Sequence, residues 1–91
     1  MSYSLSIIGC GYVGCVTGAC FADMGNEVTL VDVEPRKVNS INDGRSPIYE
    51  PGLEDLIQKN RKRIHATTDL RAAVRDTDIT FIAVGTPSNA D

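Results

Sequence analysis

Short apolar runs alternate along the chain with longer segments rich in small and apolar residues. Four runs have the length and the β-branched composition of strands, and they cover Leu5–Ile8, Val28–Val31, Ile64–Thr67 and Ile79–Val84. The first and the last are interpreted as strands buried on both faces, as in the interior of a parallel sheet. His65 lies inside the third run without a catalytic partner in the sequence, and we interpret it as a structural residue.

Helices are predicted between these strands. The helical segments are Tyr12–Met24, Pro35–Asn42, a segment that ends near Asn60, and Asp69–Arg75 with Thr68 as its cap. Gly25 and Gly44 follow the first two segments, where glycine commonly ends a helix. Residues 44–52 contain two prolines and two glycines and are predicted to form a long loop. The alternation of strands and helices predicts an α/β fold with a parallel sheet.

A glycine-rich turn joins the first strand to the first helix. Residues 9–14 read Gly-Cys-Gly-Tyr-Val-Gly, the pattern G-x-G-x-x-G, which is weak evidence by itself because glycines occur in many turns. Asp32 lies 18 positions after Gly14, at the end of the second strand. A strand, this turn, a helix and an acidic residue at that distance together predict a dinucleotide-binding site. The fold is therefore predicted to be a Rossmann-type doubly wound parallel sheet, of which this chain is the N-terminal portion.

The residues of the turn have separate expected roles. Gly9 permits a tight turn, Gly11 lets the backbone approach a pyrophosphate, and Gly14 lets the helix pack closely on the sheet. The backbone N–H groups of Tyr12 and Val13 are expected to face the phosphates, with the positive end of the helix dipole behind them. The alternative is a strand-to-helix turn that binds no ligand.

Asp32 is expected to accept hydrogen bonds from both hydroxyls of the adenosine ribose. Its charge would repel the 2′-phosphate of NADP, so NAD is the predicted cofactor. Arg36 and Lys37 follow in the second helix, and a cation near the ribose can accommodate the 2′-phosphate of NADP. Because Asp32 is present, the simpler interpretation is that these two side chains contact NAD or lie on a solvated helix face. Thr86, in the turn after the fourth strand, either contacts the cofactor or caps the turn.

Composition narrows the class of protein further. The chain has 91 residues, enough for one domain at most. A net charge of −3 provides no broad positive field for nucleic acid, and no apolar run approaches the ~20 residues of a membrane span, so a cytoplasmic protein is expected. Cys10, Cys15 and Cys20 match neither a zinc site nor a disulfide framework and are interpreted as small buried thiols. No metal site is predicted.

Four segments resemble the N-terminal region of a known enzyme family, the UDP-glucose and GDP-mannose dehydrogenases. They are Ile8–Gly14, Thr17–Ala22, Ser46–Leu53 and Val84–Pro87, and the resemblance covers essentially the whole chain. It implies an NAD-dependent enzyme that oxidises the C6 alcohol of a nucleotide sugar to a carboxylate in two hydride transfers, through a cysteine-linked thiohemiacetal and thioester. By that resemblance the cofactor contacts are Tyr12, Val13, Asp32, Lys37 and Thr86.

The resemblance also implies what this chain does not contain. The nucleophilic cysteine of the family and its assisting lysine and asparagine lie in a downstream domain, so no catalytic residue is expected within these 91 residues. The nucleotide sugar would be bound there too, and the complete enzyme is implied to be a homo-oligomer. The choice between UDP-glucose and GDP-mannose stays open. So do two other classes, a regulatory NAD-binding module without catalysis and a different NAD-dependent dehydrogenase, although the proline-rich loop and the Val-Gly-Thr-Pro turn argue against both.

Overall fold

The structure is a computed structural model that describes residues 2–84. The described residues form the four strands and four helices that the sequence predicts, with two helices between the second and third strands. In chain order the elements are β1 (Ser4–Ile8), α1 (Tyr12–Asp23), β2 (Glu27–Val31), α2 (Pro35–Asn42), α3 (Leu53–Lys59), β3 (Ile64–Thr67), α4 (Leu70–Arg75) and β4 (Ile79–Ile82). Within residues 2–84, no helix is long and apolar enough to cross a membrane.

The four strands form one parallel sheet in the order β3-β2-β1-β4. This is the order of the first four strands of a Rossmann sheet, so the predicted fold class is confirmed. Because all strands run in the same direction, their carboxyl ends meet at one edge. The glycine-rich turn after β1 and Asp32 after β2 both lie at that edge, next to each other.

One face of the sheet is apolar and carries the core. Alternate residues of the strands point to this face, and α1 packs directly on it: a Cβ added at Gly18 would come within 2.9 Å of a methyl group of Leu30 and 3.3 Å of one of Ile7. The core also includes residues of α2 and α3. Its buried members are Leu5, Ile7, Cys10, Cys15, Ala19, Ala22, Val28, Leu30, Val38, Ile41, Leu53, Ile57, Ile64 and Ala66.

The other face of the sheet carries mostly polar side chains. The interior of β1 is buried on both faces as predicted, since Leu5, Ser6 and Ile7 are all buried, but the prediction that β4 is buried was wrong. Ser6 and Thr80 are register partners on this face, and their hydroxyl oxygens lie 2.7 Å apart. The hydroxyl of Thr77 donates to Ser6 as well, at 2.9 Å. Every residue of β4 is exposed within the described chain, Ile82 by 77%. The strands follow the period-2 alternation of a sheet with two unlike faces.

Two further sequence predictions need correction. The cap of α4 is Asp69 and not Thr68, because the Asp69 carboxylate accepts a hydrogen bond of 3.0 Å from the backbone N–H of Ala72. Cys20 is exposed on α1, whereas Cys10 and Cys15 are buried as predicted. His65 lies in β3 as expected and is exposed.

The outer edge of β3 is covered by a side chain from α2. The amide of Asn42 donates to the carbonyl of Ala66 and accepts from its backbone N–H, both at 2.9 Å. A neighbouring strand would use the same two backbone groups. The side chain of Asn42 therefore satisfies the outward-facing backbone N–H and carbonyl of Ala66 in this edge strand.

Candidate functional site

The glycine-rich turn is held between the ends of β2 and β4. Gly9 has a φ of +111°, and its backbone N–H donates to the carbonyl of Val31 at 2.7 Å. A Cβ at Gly9 would lie 3.0 Å from the carbonyl group of Ala83, which follows β4. Only glycine combines this φ with this close approach. The tight turn predicted at Gly9 is confirmed.

Gly14 allows α1 to start directly over the turn. A Cβ at Gly14 would overlap the carbonyl oxygen of Gly9, and it would also lie 3.5 Å from a methyl group of Ile7. The atom in the way belongs to the backbone of the turn, which cannot move without changing the turn itself. Gly14 is therefore required for the contact between helix and turn, and its closeness to Ile7 of β1 agrees with the predicted packing of the helix on the sheet.

The amino end of α1 presents backbone N–H groups that the helix leaves unused. The first hydrogen bond of the helix runs from the N–H of Cys15 to the carbonyl of Gly11, at 3.0 Å, and no side chain caps this end. Tyr12 and Val13 are 58% and 61% exposed. Unused N–H groups at the positive end of a helix dipole are suited to an anion such as a pyrophosphate. The contact of these two residues with the cofactor stays a prediction.

Gly11 faces open space. A Cβ built there would meet no heavy atom of the described residues within 4 Å, and the φ of Gly11 is −83°. Residues of any type adopt this φ, so the backbone conformation does not by itself require glycine at this position. The space left by its missing side chain lies outside the packed turn, where a ligand has room to approach.

Asp32 is tied to the glycine-rich turn. One carboxylate oxygen accepts a hydrogen bond of 2.8 Å from the N–H of Cys10, and the other accepts one of 2.9 Å from the N–H of Glu34. Partial burial raises the pKa of Asp32, but these two donors and the charge of Lys37 outweigh it, and the pKa lies below its ordinary value. Asp32 is therefore ionised at neutral pH. Each oxygen keeps a lone pair for a ribose hydroxyl.

Two buried cysteines brace the turn, Cys10 within the turn itself and Cys15 in the first turn of α1. The thiol of Cys15 donates to the carbonyl of Cys10 at 3.3 Å, and neither residue has measurable solvent exposure. The neighbouring Cys15 thiol and burial both raise the pKa of Cys10, so it is a neutral thiol at physiological pH. Sequence analysis assigned Cys10 only the requirement to be small. It missed that the backbone of Cys10 joins the turn to Asp32.

The remaining predicted site residues follow the same edge. Lys37 is half-buried in the first turn of α2, and its charge acts on Asp32. Arg36 pairs with Glu34, an interaction that sequence analysis did not anticipate. Thr86 lies outside the described residues, as do Gly85 and Pro87, and its predicted contact stays a prediction.

A groove borders the amino end of α1 on the side of the proline-rich loop. It has a volume of about 240 Å³ and is lined by Tyr12, Val16, Glu50, Pro51, Gly52, Leu53 and Leu56. Ser46 orders the loop through its hydroxyl, which donates to the carbonyl of Ile48 at 2.6 Å. A larger cavity of about 600 Å³ lies at the opposite edge of the sheet, beside Glu27 and residues 58–63. We place the site at the glycine-rich turn, because the free N–H groups of α1 and the carboxylate of Asp32 lie at that edge of the sheet and not at the larger cavity.

Comparison with known proteins agrees with this geometry. The chain is 49% identical over 85 residues to UDP-glucose 6-dehydrogenase TuaD of Bacillus subtilis, covering 91% of this chain and 18% of that protein. It is 52% identical over 86 residues to GDP-mannose 6-dehydrogenase of Pseudomonas aeruginosa, covering 92% and 20%. The chain thus spans about a fifth of the length of these relatives.

Solved structures of similar proteins have the same fold. A ternary complex of GDP-mannose dehydrogenase from Pseudomonas aeruginosa superposes with a TM-score of 0.90 at 51% identity, over 94% of this chain and 20% of that one. A UDP-glucose dehydrogenase from Pyrobaculum islandicum gives 0.92 at 43% identity, over 100% and 22%. The sequence profile of the UDP-glucose/GDP-mannose dehydrogenase family, NAD binding domain, matches residues 3–91. The cofactor is accordingly NAD, and the chain belongs to the UDP-glucose/GDP-mannose dehydrogenase family.

Proposed function

We propose that this chain is the NAD-binding portion of a nucleotide-sugar 6-dehydrogenase and that the sugar is UDP-glucose. The observation that carries the proposal is the link between the glycine-rich turn and Asp32. The N–H of Cys10 holds the carboxylate 2.8 Å away, beside the free N–H groups of α1. This link supports a phosphate site and a ribose site side by side, as in the dinucleotide-binding sites of Rossmann domains.

The residues present fit the adenosine diphosphate half of NAD. The N–H groups of Tyr12 and Val13 would hold the pyrophosphate above Gly11, where the structure leaves open space. Asp32 would accept hydrogen bonds from the ribose hydroxyls, and Lys37 would lie beside it. Thr86 would contact the cofactor from the turn after β4. When bound, NAD accepts a hydride from the substrate.

These side chains bind and orient the cofactor and perform no chemistry themselves. The relatives are about five times as long as this chain. We therefore place the catalytic residues and the contacts with the nucleotide sugar outside residues 1–91, and the oxidation of the C6 alcohol to a carboxylate with two NAD is proposed for the complete enzyme. The homo-oligomeric assembly and the cytoplasmic location expected from the sequence stay predictions.

GDP-mannose is the second candidate substrate. The Pseudomonas aeruginosa relative named for that activity is 52% identical to this chain, and the Bacillus subtilis relative named for UDP-glucose is 49% identical. Identities this close in a cofactor-binding region do not separate the two sugars, because the sugar is recognised elsewhere in the enzyme. The choice of UDP-glucose is the part of the proposal that needs direct measurement.

The test is a turnover assay with the purified complete protein. Each nucleotide sugar is incubated with excess NAD, and NADH is followed at 340 nm while the product is identified by mass spectrometry. The proposal expects two NADH and one uronate for each UDP-glucose consumed. Oxidation of GDP-mannose but not of UDP-glucose would change the proposed substrate and leave the proposed enzyme class unchanged. NADH binding without oxidation of any nucleotide sugar would favour the regulatory module.

A further inference from the structure

The first turn of α2 places two cations close to Asp32. Arg36 and Lys37 lie four and five positions after it, in the helix that begins directly beyond β2. In Rossmann domains, the ribose 2′ position lies at the carboxylate after β2, and an arginine near this point accommodates a 2′-phosphate. Arginine suits that role because its planar fork donates two parallel hydrogen bonds to a phosphate. Arg36 is therefore in a position to assist NADP binding.

Arg36 is engaged elsewhere in the structure. Its Nη2 lies 2.8 Å from Oε2 of Glu34, and its Nε donates to the same oxygen at 3.0 Å. The pair is exposed, with side-chain exposures of 77% for Arg36 and 40% for Glu34. The Glu34 carboxylate thus neutralises the guanidinium. It also occupies the side of the guanidinium that carries Nε and Nη2, where a phosphate would bind in parallel.

Glu34 is itself fixed next to Asp32. Its backbone N–H donates to the Asp32 carboxylate at 2.9 Å, and Pro35 then begins α2. The Glu34 side chain makes no capping hydrogen bond to the helix, so the ion pair with Arg36 is its hydrogen-bonding role among residues 2–84. Glu34 and its ion pair with Arg36 are thus attached to Asp32 through the backbone of Glu34, and the charge of Lys37 acts on the same carboxylate.

We propose that Glu34 is a specificity-determining residue that favours NAD over NADP by holding Arg36 in an ion pair. The inference rests on the proposed placement of the adenosine ribose at Asp32. Asp32 opposes a 2′-phosphate by direct repulsion, whereas Glu34 withdraws the cation that would otherwise bind it. Glu34 is thus a positioning residue that acts through Arg36.

The expected effect is moderate because the ion pair is exposed. Exposed pairs have coupling energies that correspond to changes of up to about fivefold in an equilibrium constant. Glu34→Gln keeps the backbone hydrogen bond to Asp32 and leaves the helix cap unchanged, so the fold is expected to persist. The ratio of NADP affinity to NAD affinity should then rise about threefold to fivefold above that of the wild type.

A double-mutant cycle separates action through Arg36 from direct repulsion by Glu34. The complete protein is prepared as wild type, Glu34→Gln, Arg36→Gln and the double variant. NADH binding is measured by fluorescence, and displacement of NADH by NAD and by NADP gives the ratio of their dissociation constants. The cycle is repeated with Asp32→Asn, where NADP binding is stronger and easily measured. Thermal unfolding without ligand serves as the control for the fold.

The proposal expects Glu34→Gln to shift the ratio toward NADP and expects Arg36→Gln to abolish that shift. An unchanged ratio in Glu34→Gln would overturn the role of Glu34, and so would a shift that persists without Arg36, because it would come from direct repulsion. In both cases NADH binding by the wild type would leave the proposed cofactor site intact. Failure of the wild type to bind NADH would remove both proposals.

Discussion

The backbone N–H of Cys10 donates a hydrogen bond of 2.8 Å to the side-chain carboxylate of Asp32. Cys10 lies in the glycine-rich turn after β1, and Asp32 follows β2, so this contact joins the proposed phosphate site to the proposed ribose site. Burial and the neighbouring thiol of Cys15 fix Cys10 in place. Loss of the carboxylate charge should therefore affect both cofactor binding and the turn.

Asp32→Asn should weaken NAD binding and reduce the preference for NAD over NADP. The amide keeps one acceptor for the ribose hydroxyls but has no charge to repel a 2′-phosphate. Calorimetric titration of the complete protein with both cofactors measures the two affinities. An unchanged ratio of NAD to NADP affinity would contradict the assignment of Asp32 to the ribose.

The contribution of Asp32 to stability should depend on pH. Its folded-state pKa lies below the ordinary value, so the charged carboxylate stabilises the fold at every pH above the unfolded value of about 4. This contribution is lost as the pH falls through the lower folded pKa. Urea unfolding of wild type and Asp32→Asn from pH 7 to pH 3 should show the largest difference in free energy at neutral pH. A difference in unfolding free energy that grows on acidification would contradict a lowered pKa of Asp32 in the folded state.

Gly14→Ala should destabilise the fold by about 3 kcal/mol or more. The added methyl group would overlap the carbonyl oxygen of Gly9, which belongs to the backbone of a turn held on both sides. Thermal unfolding without ligand measures the change. Gly25→Ala is a useful comparison because a Cβ there meets no described atom, although the φ of +101° adds strain. Equal stability of wild type and Gly14→Ala would contradict the packing described for α1.

Asn42→Ala should destabilise the protein by about 1 to 2 kcal/mol, because two hydrogen bonds to the edge strand residue Ala66 are lost. Asn39→Ala on the same helix is the control, since it makes the same substitution at an exposed position. Chemical denaturation gives both values. Equal stability of the two variants would show that the hydrogen bonds of Asn42 to Ala66 do not stabilise the folded protein.

Much of the fold follows from local sequence signals. The boundaries of α2 and β3 were predicted to the residue, because proline and glycine mark the ends of α2 and β-branched residues flank β3. The prediction that β4 is buried was wrong, whereas the interior of β1 is buried as predicted. The apolar residues of β4 predict a buried strand, but Thr80 alternates with Ile79 and Phe81, and this period of two indicates a strand with two unlike faces.

The candidate site shows where sequence reasoning ends. The pattern of glycines predicts the turn because each glycine answers a local steric requirement, seen at Gly9 and Gly14. The contact between Cys10 and Asp32 joins residues 22 positions apart, and the ion pair between Glu34 and Arg36 depends on side-chain rotamers. Neither has a sequence pattern of its own. The ion pair could have been suspected, since Glu34 and Arg36 have opposite charges and lie two positions apart at the start of a helix.

Gly11→Ala is the change that tests the proposed phosphate site most directly. The structure gives the new methyl group open space and an ordinary φ, so ligand-free stability should fall by no more than about 1 kcal/mol. A pyrophosphate lying against this backbone would meet the methyl group. NAD affinity of the complete protein, measured by calorimetry, should therefore fall about tenfold or more, equivalent to about 1.4 kcal/mol. Full NAD affinity in Gly11→Ala would contradict the claim that the glycine-rich turn binds the cofactor phosphates.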